Sequence, residues 1–396
     1  MRGWLAGRAG LWNPCGMSWK RDFTLSRATL PAFMAQGVLW GAYAAYVPDI
    51  KAGLGAGDGA FGVALLFGSA GAVSAMLTAP LYDRVTGRWA LALGAVLLLV
   101  AGQFMVAAPV LWVFALALFF TGAASGLHDV VMNARLAGIE GAEQASLMNL
   151  NHGFFSVAYA GAAFTSGLAR EAGVPVETMF AIWLGVVALA AWWMIEPPRD
   201  APADDGDAEG YRMGRAVWWG GLIVLIGFLS ENATEGWSAL HIERSLGGNA
   251  AEGALGPTML GLTMAVGRLS GQAVVARFHE ATVTFWAALM AGAGALIAAA
   301  AQAEWVAYLG FAVLGLGVSV IAPMVLALVG RRVPAHRRTV AISRVAIIGY
   351  LGFFFGPPMM GLVSEAVGLR GSFICVAILL ASVPLWLAFL RRAERA

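Results

Sequence analysis

Charge is what this sequence has least of. Of 396 residues, 12% are Asp, Glu, Lys or Arg and 60% are hydrophobic, with mean hydropathy +0.75. A soluble domain carries about 25% charged residues, so a water-soluble globule is excluded. Cysteine is nearly absent. Cys15 and Cys375 lie far apart in sequence, which leaves neither a disulfide framework nor a thiolate metal site. No Walker sequence, nucleophile elbow or zincin pattern is present, so an ATP-driven pump and an enzyme are not expected, and neither is a cofactor or a metal. Strict alternation of polar and apolar residues is missing, which argues against a membrane barrel. Nothing points to nucleic acid or to an obligate oligomer; a monomer is expected. Residues 1–23 lack the apolar core of a signal peptide. They carry Arg2, Trp4, Arg8, Trp12, Trp19, Lys20 and Arg21 instead, as suits a tail lying on anionic lipid. Translation from Met17 is the alternative.

What the chain has is apolar runs of one length. Twelve can be counted: 29–47, 60–81, 89–107, 110–133, 147–168, 179–195, 216–240, 255–276, 283–301, 305–329, 340–363 and 372–390. Each is near the ~20 residues that cross a bilayer as a helix. The expected class is therefore an all-α membrane protein of twelve spanning helices. Basic residues orient it. With the N-terminus inside, all Lys and Arg fall on the cytoplasmic side or near it, except Lys51, Arg170, Arg244 and Arg370. That bias predicts an inner-membrane protein with both termini in the cytoplasm. The sixth and seventh spans are joined by EPPRDAPADDGDAEGYRMGR, which is rich in Pro, Gly and Asp and has no apolar period. It reads as a flexible linker. The expected divisions are a cytoplasmic tail over 1–26, a six-helix bundle over 27–196, the linker over 197–214, a second six-helix bundle over 215–391 and a tail over 392–396. A faint internal echo supports two repeats: Gly161, Gly167 and Glu171 near the end of the fifth span answer Gly356, Gly361 and Glu365 in the eleventh.

Against this apolar background one stretch stands out, Gly126–Ser156, GLHDVVMNARLAGIEGAEQASLMNLNHGFFS. Asp129 and Asn133 are four apart and share a helical face. So do His152 and Ser156, with Asn149 one turn earlier. A carboxylate at a helix centre costs about 2.5–3.5 kcal/mol on insertion scales, so such groups should face a bundle interior or a water-filled cavity. Asp129 can hold or release a proton, His152 can relay one, and Asn side chains match hydroxyl groups. The plainer reading is that these residues tie helices together. In the seventh span Glu231 and Glu235 also share a face. At 1.5 Å per residue Glu231 lies ~24 Å beyond Arg215. That makes it a second candidate for proton or substrate contact, with Glu235 expected in solvent at the outer mouth and Trp237 in an interfacial belt. In the first span Gln36, Trp40 and Tyr43 repeat at helical spacing, as either a cavity-lining stripe or packing. Asp49, beside Pro48, is not assigned a role. Pro323, Pro357 and Pro358 should bend their helices. The pairs Gly122/Gly126 and Gly352/Gly356 should let helices approach closely.

The loop after the second span reads Ala79-Pro-Leu-Tyr-Asp-Arg-Val-Thr-Gly-Arg88. It resembles the signature of the major facilitator superfamily, with Ala79 in place of the first Gly and one residue more before the final Gly-Arg. Two parallel six-helix repeats are that family's arrangement. The resemblance implies a cytoplasmic gate built from Asp83, Arg84 and Arg88, with Arg344 at the start of the eleventh span as a candidate partner for Asp83. Without it, Arg84 and Arg88 are simply anchors on the positive side. Arg268 also reads as a charge near a cytoplasmic helix end. The fourth and fifth spans resemble the fucose permease-like branch of sugar–proton symporters. By position Asp129 and Asn133 match that branch's acid and Asn, Asn149 matches its fifth-helix Asn, and His152 stands where it has Gln. These resemblances imply alternating-access transport of a small polar solute such as a sugar, coupled to protons through Asp129 or Glu231. A proton-antiporting exporter of drugs or metabolites and a non-transporting membrane sensor are the alternatives.

Overall fold

The computed structural model describes residues 19–197, 214–275, 277–333 and 338–392. The N-terminal tail with Cys15, most of the linker, Arg337 and the last four residues lie outside the described residues. After a short surface helix, α1 (Trp19–Leu25), the first half of the chain runs α2 (Thr29–Gly53), α3 (Asp58–Met76), the short α4 (Ala79–Thr86), α5 (Ala90–Val106), α6 (Leu111–Glu143), α7 (Met148–Glu171) and α8 (Val176–Ala190). The second half runs α9 (Arg215–His241), α10 (Ala250–Val275), α11 (Glu280–Ala300), α12 (Glu304–Gly330) and α13 (Arg338–Arg392). No strand occurs among the described residues.

Each of the twelve apolar runs falls mainly on one of these helices, the second reaching past α3 into α4 and the sixth past the end of α8. The last two share α13, which turns at Gly368 with φ 79°, a conformation glycine adopts without steric cost. By length and composition, eight described helices or helix runs qualify as membrane spans, and one of them is the whole of 340–392. The fourth run is longer than its apolar residues suggest. α6 continues ten residues past Asn133 and is about 50 Å long at 1.5 Å per residue. It ends where Gln144 takes the left-handed conformation at φ 49°. The Glu140 carboxylate then accepts from the free backbone N–H groups of Leu147 and Met148, which start α7. α10 starts with a reciprocal cap, in which the Asn249 side chain accepts from Glu252 N and Glu252 from Asn249 N, at 2.9 and 2.8 Å.

Small residues set the closest crossings, as the sequence pattern predicts. A Cβ on Gly122 would run into the Gly68 carbonyl, and one on Gly126 into Ala72. Gly352 meets the α9 backbone at Leu225 and Leu229 in the same way. The contacts hold α3 against α6 and α13 against α9 at backbone distance.

Two predicted placements need correction here. Trp237 is no belt residue. It is fully buried, edge-on to Phe61 at 6.1 Å, because α9 turns this face toward α3. Asp83 is paired here with a residue other than the expected Arg344. Its carboxylate pairs with Arg135 of α6 at 2.6 Å, and Arg135 also donates to the carbonyls of Gly87 and Glu196 at 2.7 and 2.8 Å. Arg135 is 5% exposed. Here the acid of the loop locks α4 to its own half of the chain. Arg84 and Arg88 stay exposed, Arg88 lying over Trp89 at 5.4 Å.

Candidate functional site

A central cavity of about 720 Å³ lies between the two halves of the chain. Its lining comes from α2, α3, α6 and α7 in the first half and from α9, α10, α12 and the front part of α13 in the second. The third, sixth, ninth and twelfth runs contribute no lining residue among those described. On one side the cavity extends to Met76 and Met148, the terminal residues of α3 and α7. This is the side of Asp83. On the other side it stops short of the helix ends.

The polar stretch of α6 and α7 faces this cavity. Asn133 donates to the Asp129 carbonyl and carboxylate at 2.9 and 3.1 Å. The His152 ring lies 3.3 Å from the Asn133 side-chain oxygen and edge-on to Phe33 at 4.8 Å. Tyr350 of the second half lines the same cavity and acts on the Asp129 carboxyl. Asn149, Gln36, Trp40 and Tyr43 also line the cavity, and Trp40 donates its indole N–H to Ser125 at 3.2 Å. Two neighbours in the same stretch are structural. His128 is buried against the Ala32 carbonyl at 3.1 Å, and Asn151 ties Thr29 to Ser26.

The seventh run holds the largest departures from expectation. Glu231 does face the cavity, where it pairs with Arg268 at 2.9 Å. Arg268 is therefore no helix-end charge. It lies inside, donates to Ser156 of the first half at 2.6 Å, and sits 5.9 Å from the Phe155 ring. Glu235 is no outer-mouth residue either, since it lines the same cavity. One turn of helix separates it from Glu231, and the closed side away from Asp83 lies beyond it. Four polar atoms of lining residues are covered and have no hydrogen-bond partner: Gln36 Oε1, Tyr43 OH, Asn232 Oδ1 and Trp237 Nε1. Buried polar atoms are rarely left this way.

A clasp across the halves closes the side away from Asp83. Arg170 of α7 forms an ion pair with both oxygens of Glu243, just after α9, and with Asp49 at 2.6 Å. Asp58 accepts from Lys51 at 2.8 Å, from Arg244 at 2.7 Å and from Ser364 at 2.5 Å. Glu365 accepts from the backbone N–H of Gly59 at 3.0 Å, and Glu171 from that of Ala251 at 3.3 Å. These two acids occupy corresponding places in the repeat echo. Each binds the N-terminal turn of a helix from the other half, where a carboxylate is favoured. The signal for this clasp was present in the sequence. Three of the four basic residues on the disfavoured side are the ones paired here.

Residues 29–299 and 220–396 match the model of the Major Facilitator Superfamily. The chain belongs to this superfamily. It is a membrane transporter and not an enzyme. An uncharacterised transporter of this type from Yersinia pestis is 29% identical over 367 residues, covering 90% of this chain and 93% of that protein. Membrane protein MosC of Rhizobium meliloti is 27% identical, over 85% of this chain and 83% of its own length. Among solved structures, a bacterial homologue of the human lysosomal transporter Spinster, inward-facing and occupied, superimposes with a TM-score of 0.74 at 14% identity, over 96% and 98% of the two chains. A D-xylose–proton symporter gives 0.75 at 14% identity, over 93% and 97%. At these identities the likeness is one of fold.

Proposed function

We propose that this transporter moves a small polar solute of the sugar class by alternating access, with proton coupling, across a bacterial inner membrane. In this reading both termini are cytoplasmic, the two halves are rigid six-helix bundles, and the protein works as a monomer. The observation that carries it is the cavity. Gln36, Asn133, Asn149 and His152 bring amide and imidazole groups to a lining that also holds Trp40, Tyr43 and Phe155. Acceptors, a donor and flat apolar faces are what a hydroxylated ring needs. Asp129 of the first half and Tyr350 of the second act on each other across the cavity, so a proton on the carboxyl alters an interaction between the halves. Glu231, held by Arg268, is the second acid whose protonation would release a bridge. With the positive-inside orientation the clasp lies outside and the cavity faces the cytoplasm.

Thermal unfolding of the detergent-purified protein against sugars, polyols, amino acids and hydrophobic cations tests this. A solute at a hundred times its Kd stabilises the folded state by about 2.7 kcal/mol. The expected result is a shift with one class of hydroxylated compound, and loss of its pH-driven uptake in proteoliposomes with Asp129→Asn. A shift confined to hydrophobic cations would replace the reading with that of an exporter.

A further inference from the structure

The cavity does not balance its charges. Its lining holds three carboxylates, Asp129, Glu231 and Glu235, and one guanidinium, Arg268. Two of the acids are provided for. Asp129 has Asn133, and Glu231 has Arg268. Glu235 has neither a hydrogen bond nor an ion pair to any described residue, and the charged groups that act on it are Glu231 and Arg268. Arg268 makes no ion pair with it. Its two terminal nitrogens are committed to Glu231 and Ser156, so its charge is already answered.

A carboxylate in an apolar enclosure is costly until a proton or another positive group meets it. A metal ion does not suit this position. No group of three His, Cys, Asp or Glu side chains able to hold one exists among the described residues. Aromatic walls of the cavity that Glu235 lines favour an organic cation instead. Trp40 and Tyr43 meet edge to face at 5.8 Å, and the Phe155 ring already carries a guanidinium at 5.9 Å. Aromatic faces attract ammonium groups through their quadrupole. The amide side chains of Asn133 and Asn149 line the same cavity and match hydroxyl groups.

We propose that Glu235 is the anchor for a protonated amine, so that the transported solute is a hydroxylated compound carrying one ammonium group, of the amino-sugar or aminopolyol class. This rests on the polar-solute reading above and narrows it. The probes are D-glucosamine, D-galactosamine, D-glucose, N-acetyl-D-glucosamine and tetraphenylphosphonium, each added to the purified full-length protein while its unfolding midpoint is followed. An amino sugar should raise the midpoint, while D-glucose and the acetylated sugar, which lack the charge, should do so only at far higher concentration. Glu235→Gln should weaken the amino-sugar response about 10- to 100-fold, the worth of one hydrogen bond to a charged group. Glu235→Asp keeps the charge and should retain the response, which separates loss of the anchor from loss of the fold. Equal responses to D-glucose and D-glucosamine would overturn the amine anchor and leave the polar-solute reading standing. A response to tetraphenylphosphonium alone would overturn both. Silence toward both amino sugars, or an undiminished response in Glu235→Gln, would overturn the anchor.

Discussion

Replacing Arg170 by Met keeps the apolar stem and removes every charged bond it makes. The native guanidinium holds both oxygens of Glu243 across the two halves of the chain, and Asp49 within its own half. The Arg170 side chain is 7% exposed and that of Glu243 16%, whereas Asp49 is 49% exposed. The Asp49 pair is therefore close to a surface pair and contributes about 1 kcal/mol or less. The Glu243 pair is largely desolvated, and truncating one partner of such a pair costs about 2–5 kcal/mol. Most of that penalty falls on the state in which the clasp is closed, because Glu243 regains water when the halves part. Taking the lower bound, about 2 kcal/mol shifts the equilibrium between closed and open clasp by about 30-fold. The assay is modification of a single cysteine at Leu65, a cavity-lining position, by an impermeant maleimide added from the clasp side, in a background lacking Cys15 and Cys375. The Met variant should react at least tenfold faster than the parent, and Asp49→Asn should change the rate less than threefold. A double-mutant cycle with Glu243→Gln should recover the coupling. Unchanged reactivity in Arg170→Met would refute the argument that this pair holds the cavity closed on that side.

Arg135→Ala should lower the unfolding midpoint, since it takes a partner from Asp83 and from two carbonyl groups. A loss of about 1–3 kcal/mol is expected, since Asp83 is 30% exposed and regains water, against less than 1 kcal/mol for Arg84→Ala or Arg88→Ala, read by thermal unfolding. Gly122→Val should prevent assembly, because its side chain would enter the Gly68 carbonyl; size-exclusion chromatography after membrane extraction should find aggregate or no protein. Asn151→Ala removes the link among Ser26, Thr29 and the Leu147 carbonyl and should cost about 1–3 kcal/mol without changing solute specificity in the unfolding panel.

How much of this site was legible along the chain depends on the range of the interaction. Asp129 with Asn133, and Glu231 with Glu235, are one helical turn apart, so the period alone puts each pair on one face. The stripe Gln36, Trp40 and Tyr43 was readable in the same way, although periodicity could not choose between cavity and packing. Arg268, Glu235 and Trp237 were misplaced because hydropathy orders residues by depth and says nothing of direction. A charge near a run's end reads as a helix-end charge unless the neighbouring helix is known. The partner of Asp83 was likewise out of reach, since Arg135 lies 52 positions away and its burial depends on how α6 packs against α4.

Composition and the spacing of apolar runs determined that this chain crosses a membrane as helices, about how many times, and which side its charges prefer. Those properties follow from the cost of exposing polar groups to lipid, a sum over residues that needs no coordinates. Tertiary structure decided which charges meet. Arg170 reaches Glu243, Arg244 reaches Asp58, Arg268 takes Glu231, and Glu235 is left facing the cavity alone. Pairing falls off within a few ångströms, and only the packing of one half against the other brings residues 73 to 186 positions apart within that range.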